Sequence, residues 1–82
     1  MARQEELQLQ GENVAGEIAH ARRRLAEVDQ ERAFYQRQAA RGKITEQEFD
    51  ARMEESAESA KHWQVEIKRL TELRDDAAKV QA

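Results

Sequence analysis

Arg41-Gly42-Lys43-Ile44-Thr45-Glu46-Gln47-Glu48-Phe49 concentrates the turn chemistry of this 82-residue chain, and its reading decides the fold. Gly42 stands where a helix would end in a left-handed residue, a conformation glycine adopts without a Cβ clash. Thr45 and Glu48 have the spacing of a capping box. The threonine oxygen takes the amide of Glu48, and the glutamate reaches back to the amide of Thr45. Ile44 and Phe49 bracket that cap at the spacing of a hydrophobic staple. Glu46, Glu48 and Asp50 lie in the first turn of the following helix, where the helix dipole favours negative charge. Arg37, Arg41 and Lys43 flank the end of the preceding helix, where it favours positive charge. These signals predict a helix over about 3–41, a turn over 42–45 and a second helix over about 46–80, so that 1–82 is a single helical hairpin.

Composition agrees with helices. Charged residues make up 38% of the chain and apolar residues 39%, but alanine supplies 14 of the latter and aromatics are only 5%. There is no proline, no cysteine, and glycine occurs three times. Such a chain is rich in helix formers and poor in the residues of sheets, which argues against a sandwich or barrel. Disulfides and cysteine-ligated zinc are excluded. No apolar run approaches the roughly 18 residues that a membrane span requires.

On either side of the turn, apolar residues recur at alternating steps of three and four. In the first helix these are Leu7, Val14, Ile18, Ala21, Leu25, Val28, Tyr35 and Ala39, with Arg32 in one charged slot. In the second they are Phe49, Met53, Ser56, Ala60, Trp63, Ile67, Leu70 and Ala77, with Arg74 interrupting. These are heptad seams, with Ile18, Leu25, Met53 and Ile67 at position a and Val14, Val28, Phe49, Trp63 and Leu70 at position d. Helices of about 35 residues would each be roughly 50 Å long. Gly11 and Gly16 each cost about 1 kcal/mol relative to alanine, which concentrates fraying in the first dozen residues. A short loop forces the helices antiparallel. The register that sets each a against a d pairs Ala39 with Phe49, Tyr35 with Met53, Val28 with Ala60, Leu25 with Trp63, Ala21 with Ile67 and Ile18 with Leu70. Arg32 then faces Ser56, with its stem covering the gap and its guanidinium in water. Arg24 and Glu66, both at g, become flanking partners. The expected fold is thus all-α, an antiparallel two-helix coiled-coil hairpin.

The same pattern speaks against catalysis, which needs polar groups converging in a dry pocket. His20 and His62 fall at c positions, outward and far apart, and read as two solvated histidines. Glu54, Glu55 and Glu58 read as a solvated acidic face. No glycine-rich phosphate loop is present. No catalytic residue, cofactor, metal or small-molecule ligand is expected. Arg22-Arg23-Arg24 is the one dense basic run, but successive helical residues splay by 100°. Glu17, Glu27 and Asp29 offset it, so direct nucleic-acid binding is expected to be negligible. A basic amphipathic membrane helix fails for the same reason.

The stretch from Glu31 to Arg52 resembles the coiled-coil hairpin of large serine recombinases. Those hairpins carry a tyrosine seven residues before a glycine, then a hydrophobic residue, an acidic helix start with an aromatic or leucine, and an arginine. Tyr35, Gly42, Ile44, Glu48, Phe49 and Arg52 stand at the matching positions. The flanking heptads, through Glu66-Ile67-Lys68-Arg69-Leu70-Thr71-Glu72-Leu73, extend the likeness over most of the chain. The resemblance implies an arm that projects from a zinc-ribbon domain on attachment-site DNA and contacts another recombinase subunit during synapsis. It implies a bacterial or phage protein acting in the cytoplasm. The catalytic serine domain and the zinc-ligating cysteines of that family have no counterpart here, so the chain would be the interaction module and not the enzyme. Short bacterial C-terminal domains share the same turn, which keeps a second reading open: a freestanding structural or adaptor coiled-coil hairpin.

Both readings make protein the partner. Outside the seam, Ala19, Ala26, Ala33 and Ala40 recur at seven-residue spacing at position b, with Phe34 beside them at c. A lone hairpin buries one seam, which rarely stabilises so few residues. The expected contact surface is therefore Ala26, Ala33, Phe34, Arg37 and Ala40. Self-association there would build a two-fold four-helix bundle.

Overall fold

The computed structural model describes the backbone of residues 2–81 and the side chains of residues 13–77. Two helices, α1 (Ala2–Ala40) and α2 (Glu46–Gln81), run antiparallel as a rod 62 Å long and about 15 Å across. No strand occurs among the described residues. The first helix ends one residue before the expected 41. The side chain of the seam residue Leu7 lies outside the described residues, as do the surroundings of Gly11.

The turn is built from backbone hydrogen bonds that glycine permits. Gly42 has φ +70° and is the one described residue with positive φ. Its amide donates to the Ala39 carbonyl at 3.0 Å, and the Lys43 amide donates to the Gln38 carbonyl at 2.9 Å. That pair is a Schellman motif, which satisfies carbonyls the helix end would otherwise leave open. At the start of α2 the Glu48 amide donates to Thr45 Oγ1 at 3.1 Å. The return bond from the Thr45 amide to the Glu48 carboxylate is not formed, so the capping box is half made. Glu48 is exposed, where water solvates the carboxylate as well as the amide would. Ile44 and Phe49 are both half-buried on either side of this cap.

The seam carries the core. Ile18 and Leu70 are 3% and 2% exposed, and Ala21 and Val28 are also buried. Leu25, Tyr35, Ala39, Phe49, Met53, Ala60, Trp63 and Ile67 are half-buried along the same line. Arg32 and Ser56 meet as the register requires, but only partly in the manner expected. One Arg32 nitrogen, Nη1, donates to Ser56 Oγ at 2.9 Å and to the Met53 carbonyl at 3.0 Å. The guanidinium thus turns one nitrogen into the seam, while its other nitrogens, which have no protein partner, stay open to water as expected. Ser56, buried and small, leaves the room, and its own hydroxyl donates to the Met53 carbonyl at 3.1 Å. No buried side-chain polar atom among the described residues lacks a partner.

Flanking ion pairs form within helices and not between them. Arg24 pairs with Glu27 at 2.9 Å, and Glu66 pairs with Arg69, so the Arg24–Glu66 bridge is not made. An i,i+3 partner on the same helix is already within reach and needs no alignment of two long side chains across the seam. The core is thin. Burying Ile18, Val28 and Leu70 contributes on the order of 2 kcal/mol each, which must offset the ordering of two long helices.

Candidate interaction surface

Four positions flank each seam. On a heptad wheel, e and b lie beside a, whereas g and c lie beside d. The rod therefore has two unlike flanks. On one sit Ala26 and Ala40, both exposed, with Ala33 half-buried. On the other sits Phe34, 46% exposed. Arg37, at f, is exposed on the ridge between them. The five residues expected to form one surface thus divide, because b and c stand 100° apart and a docking helix that covers one leaves the other at its edge.

The Phe34 flank is aromatic along its length. Near the tip, the Phe34 and Tyr35 rings meet edge to face at 5.5 Å between centroids. The Arg52 guanidinium lies 5.7 Å from the Tyr35 ring centroid. Two residues that carry the family resemblance, Tyr35 and Arg52, are therefore in contact across the two helices. Farther from the tip, Trp63 gathers both histidines. His20 approaches it edge-on at 5.8 Å and His62 at 4.8 Å, while the Arg24 guanidinium sits 5.8 Å from the indole centroid.

This corrects the expectation that His20 and His62 lie far apart. Both are exposed, but they flank one indole. The register already sets them only about two turns apart along the axis, roughly 9 Å. An indole is too wide for the d layer beside Leu25, so it leans towards the g and c side, where both imidazoles stand. Around it opens a groove of about 410 Å³, floored by Ala21, Trp63 and Leu70 and walled by Glu17, His20 and His62, with Glu66 and Arg69 at its rim. Hydrogen bonding from Arg69 lowers the Glu66 carboxyl below the ordinary glutamate value, and the same contact raises Arg69. Among the described residues no three His, Asp or Glu side chains converge as metal ligands.

Sequence reasoning missed this groove because it weighed each histidine alone. The signal was present: His20, His62 and Arg69 share position c, and Glu17 and Glu66 share position g, which places all five on one flank. Val65 and Leu73 were also missed. They are exposed apolar residues of α2, Val65 at f and Leu73 at g, on the groove's own flank. No helix among the described residues is long and apolar enough to cross a membrane. Compared with known proteins, the chain matches no family model, no curated protein and no solved structure.

Proposed function

We propose that this hairpin is a non-catalytic protein-interaction module that associates with a second copy of itself as a two-fold four-helix bundle. The observation that carries this reading is Phe34, a large aromatic side chain held 46% exposed on a rod whose core is one narrow seam. Covering such a ring gains apolar burial that a lone hairpin forgoes. In its specific form the module is the arm of a large serine recombinase that contacts a second subunit in site-specific DNA recombination in the cytoplasm. The motif residues Tyr35, Gly42, Ile44, Glu48, Phe49 and Arg52 support that form, and the contact between Tyr35 and Arg52 is consistent with it.

Sedimentation equilibrium over a tenfold concentration range tests the association. A reversible dimer is expected, and Phe34→Glu should return it to monomer. A cooperatively folded 9.5 kDa monomer at every concentration would remove the proposal. The recombinase form is tested separately by sequencing the parent open reading frame, which should encode a catalytic serine domain and zinc-ligating cysteines.

A further inference from the structure

We infer that the second copy docks on the c/g flank with its long axis reversed, so that Phe34 of each copy fills the Trp63 groove of the other. This rests on the self-association proposed above and adds to it a face, an orientation and a pair of seats.

Phe34 and His20 lie two heptads apart at the same position of α1, and His20 is a wall of the groove. The exposed ring and the groove therefore share one flank, separated by about 20 Å along the axis. Within one rigid helix the ring cannot reach its own groove. Two copies placed face to face with opposite directions seat both rings at once, because a two-fold axis midway between ring and groove exchanges them. Setting the tips together instead aligns each Phe34 with the Arg52–Glu55 region of the other copy and leaves both grooves unfilled. The groove floor of Ala21, Trp63 and Leu70 suits a phenyl ring, and the Tyr35 edge braces that ring on the donating copy.

Charge and area agree. Sliding the copies into this alignment brings Glu31 opposite Arg24 of the second copy and Glu17 close to Arg41 of the second copy. Glu27, near the axis, faces its own counterpart, but each is already paired with Arg24. Leu73 arrives near the second copy's tip, where Ile44 is only half-buried. Roughly 40 Å of shared length on a rod about 15 Å across makes the overlapping faces on the order of 600 Å² on each copy, at the lower end of specific interfaces.

The test uses the full chain carrying single cysteines. A mixture of the Phe34→Cys and His20→Cys chains should form a disulfide-linked heterodimer under mild oxidation, and neither chain alone should crosslink. Trp63, the sole tryptophan, should shift its emission to shorter wavelength as the concentration of the native chain rises, and Phe34→Ala should abolish the shift. Crosslinking of Phe34→Cys with Glu55→Cys, in place of His20→Cys, would overturn the reversed orientation in favour of tips together. A dimer by sedimentation that gives no mixed crosslink and no emission shift would overturn this interface while leaving self-association standing. A strict monomer would overturn both.

Discussion

Gly16 and Gly42 should respond in opposite directions to the same substitution. Gly16 lies inside α1, exposed, and a Cβ built on it meets no atom within 4 Å. Alanine there removes the conformational freedom of glycine from the unfolded chain and adds no clash, a gain of about 1 kcal/mol. A Cβ on Gly42 also meets nothing within 4 Å, so space is equal at the two sites. The difference is backbone: at φ +70° an alanine Cβ crowds its own carbonyl, at a cost of about 1–2 kcal/mol. For a chain of this size each kcal/mol moves the melting temperature by roughly 4–8 °C. Gly16→Ala should therefore melt several degrees above the native chain and Gly42→Ala several degrees below it. Gly42→Asn should fall between the native chain and Gly42→Ala, since asparagine tolerates the left-handed region. The assay is helical circular dichroism against temperature, with all chains at one concentration, because association makes the melting temperature concentration-dependent. A Gly42→Ala chain that melts at or above the native temperature would refute the assignment of Gly42 as the left-handed helix terminus, and a Gly16→Ala chain that melts below it would refute the reading of Gly16 as an unstrained helical site.

Ser56→Ala should lower the urea midpoint by the equivalent of about 1 kcal/mol, since Arg32 loses one of its two acceptors in the seam. Arg32→Leu combined with Ser56→Ala should recover the native midpoint or exceed it, because an apolar layer needs no desolvated charge. A double variant weaker than Ser56→Ala alone would show that the polar layer adds net stability. The Glu66 carboxyl is held below its ordinary value by the Arg69 hydrogen bond, so its contribution is present above the unfolded carboxyl range and is lost as pH falls through the lower folded value. Native chain and Glu66→Gln should therefore differ in melting temperature at neutral pH and converge only in acid. A difference that grows on acidification would reverse the sign of that linkage.

The turn was legible because its determinants are local. Gly42 and Thr45 act on backbone groups within a few residues of themselves, so spacing alone predicts the left-handed helix end and the Thr45 cap, whereas the expected return bond from the exposed Glu48 side chain is not made. The pairing of Arg32 with Ser56 was legible for another reason: matching large to small across a seam leaves few registers, and a long charged side chain needs a small neighbour. What the sequence did not disclose is where long side chains point. One Arg32 nitrogen turned inward because Ser56 Oγ and the Met53 carbonyl offer acceptors that only the assembled pair of helices brings together. Trp63 leaned outward to the c and g side because its indole exceeds one layer. That choice brought His20 and His62 to a common ring. Rotamers of this kind depend on neighbours from the other helix, which heptad letters locate but do not orient.

The polar layer and the aromatic flank are linked through register. Arg32 and Ser56 give the seam one alignment in which hydrogen bonds are satisfied, and a slip by one heptad would bury the Arg32 guanidinium against apolar side chains. Such a slip would also carry α2 about 10 Å along α1. Trp63 and His62 would then leave His20, Ala21 and Glu17, and the groove would cease to exist, although each helix remained intact. A purely apolar seam tolerates that slip at lower cost, because apolar contacts are less particular about which layer meets which. The Arg32–Ser56 layer is therefore expected to contribute alignment more than stability, a use of seam polarity known from coiled coils. Since the groove draws on both helices, its walls are placed correctly only if the hairpin holds that single register. The residues that fix the two helices relative to one another thus also build the surface on which a second rod can dock.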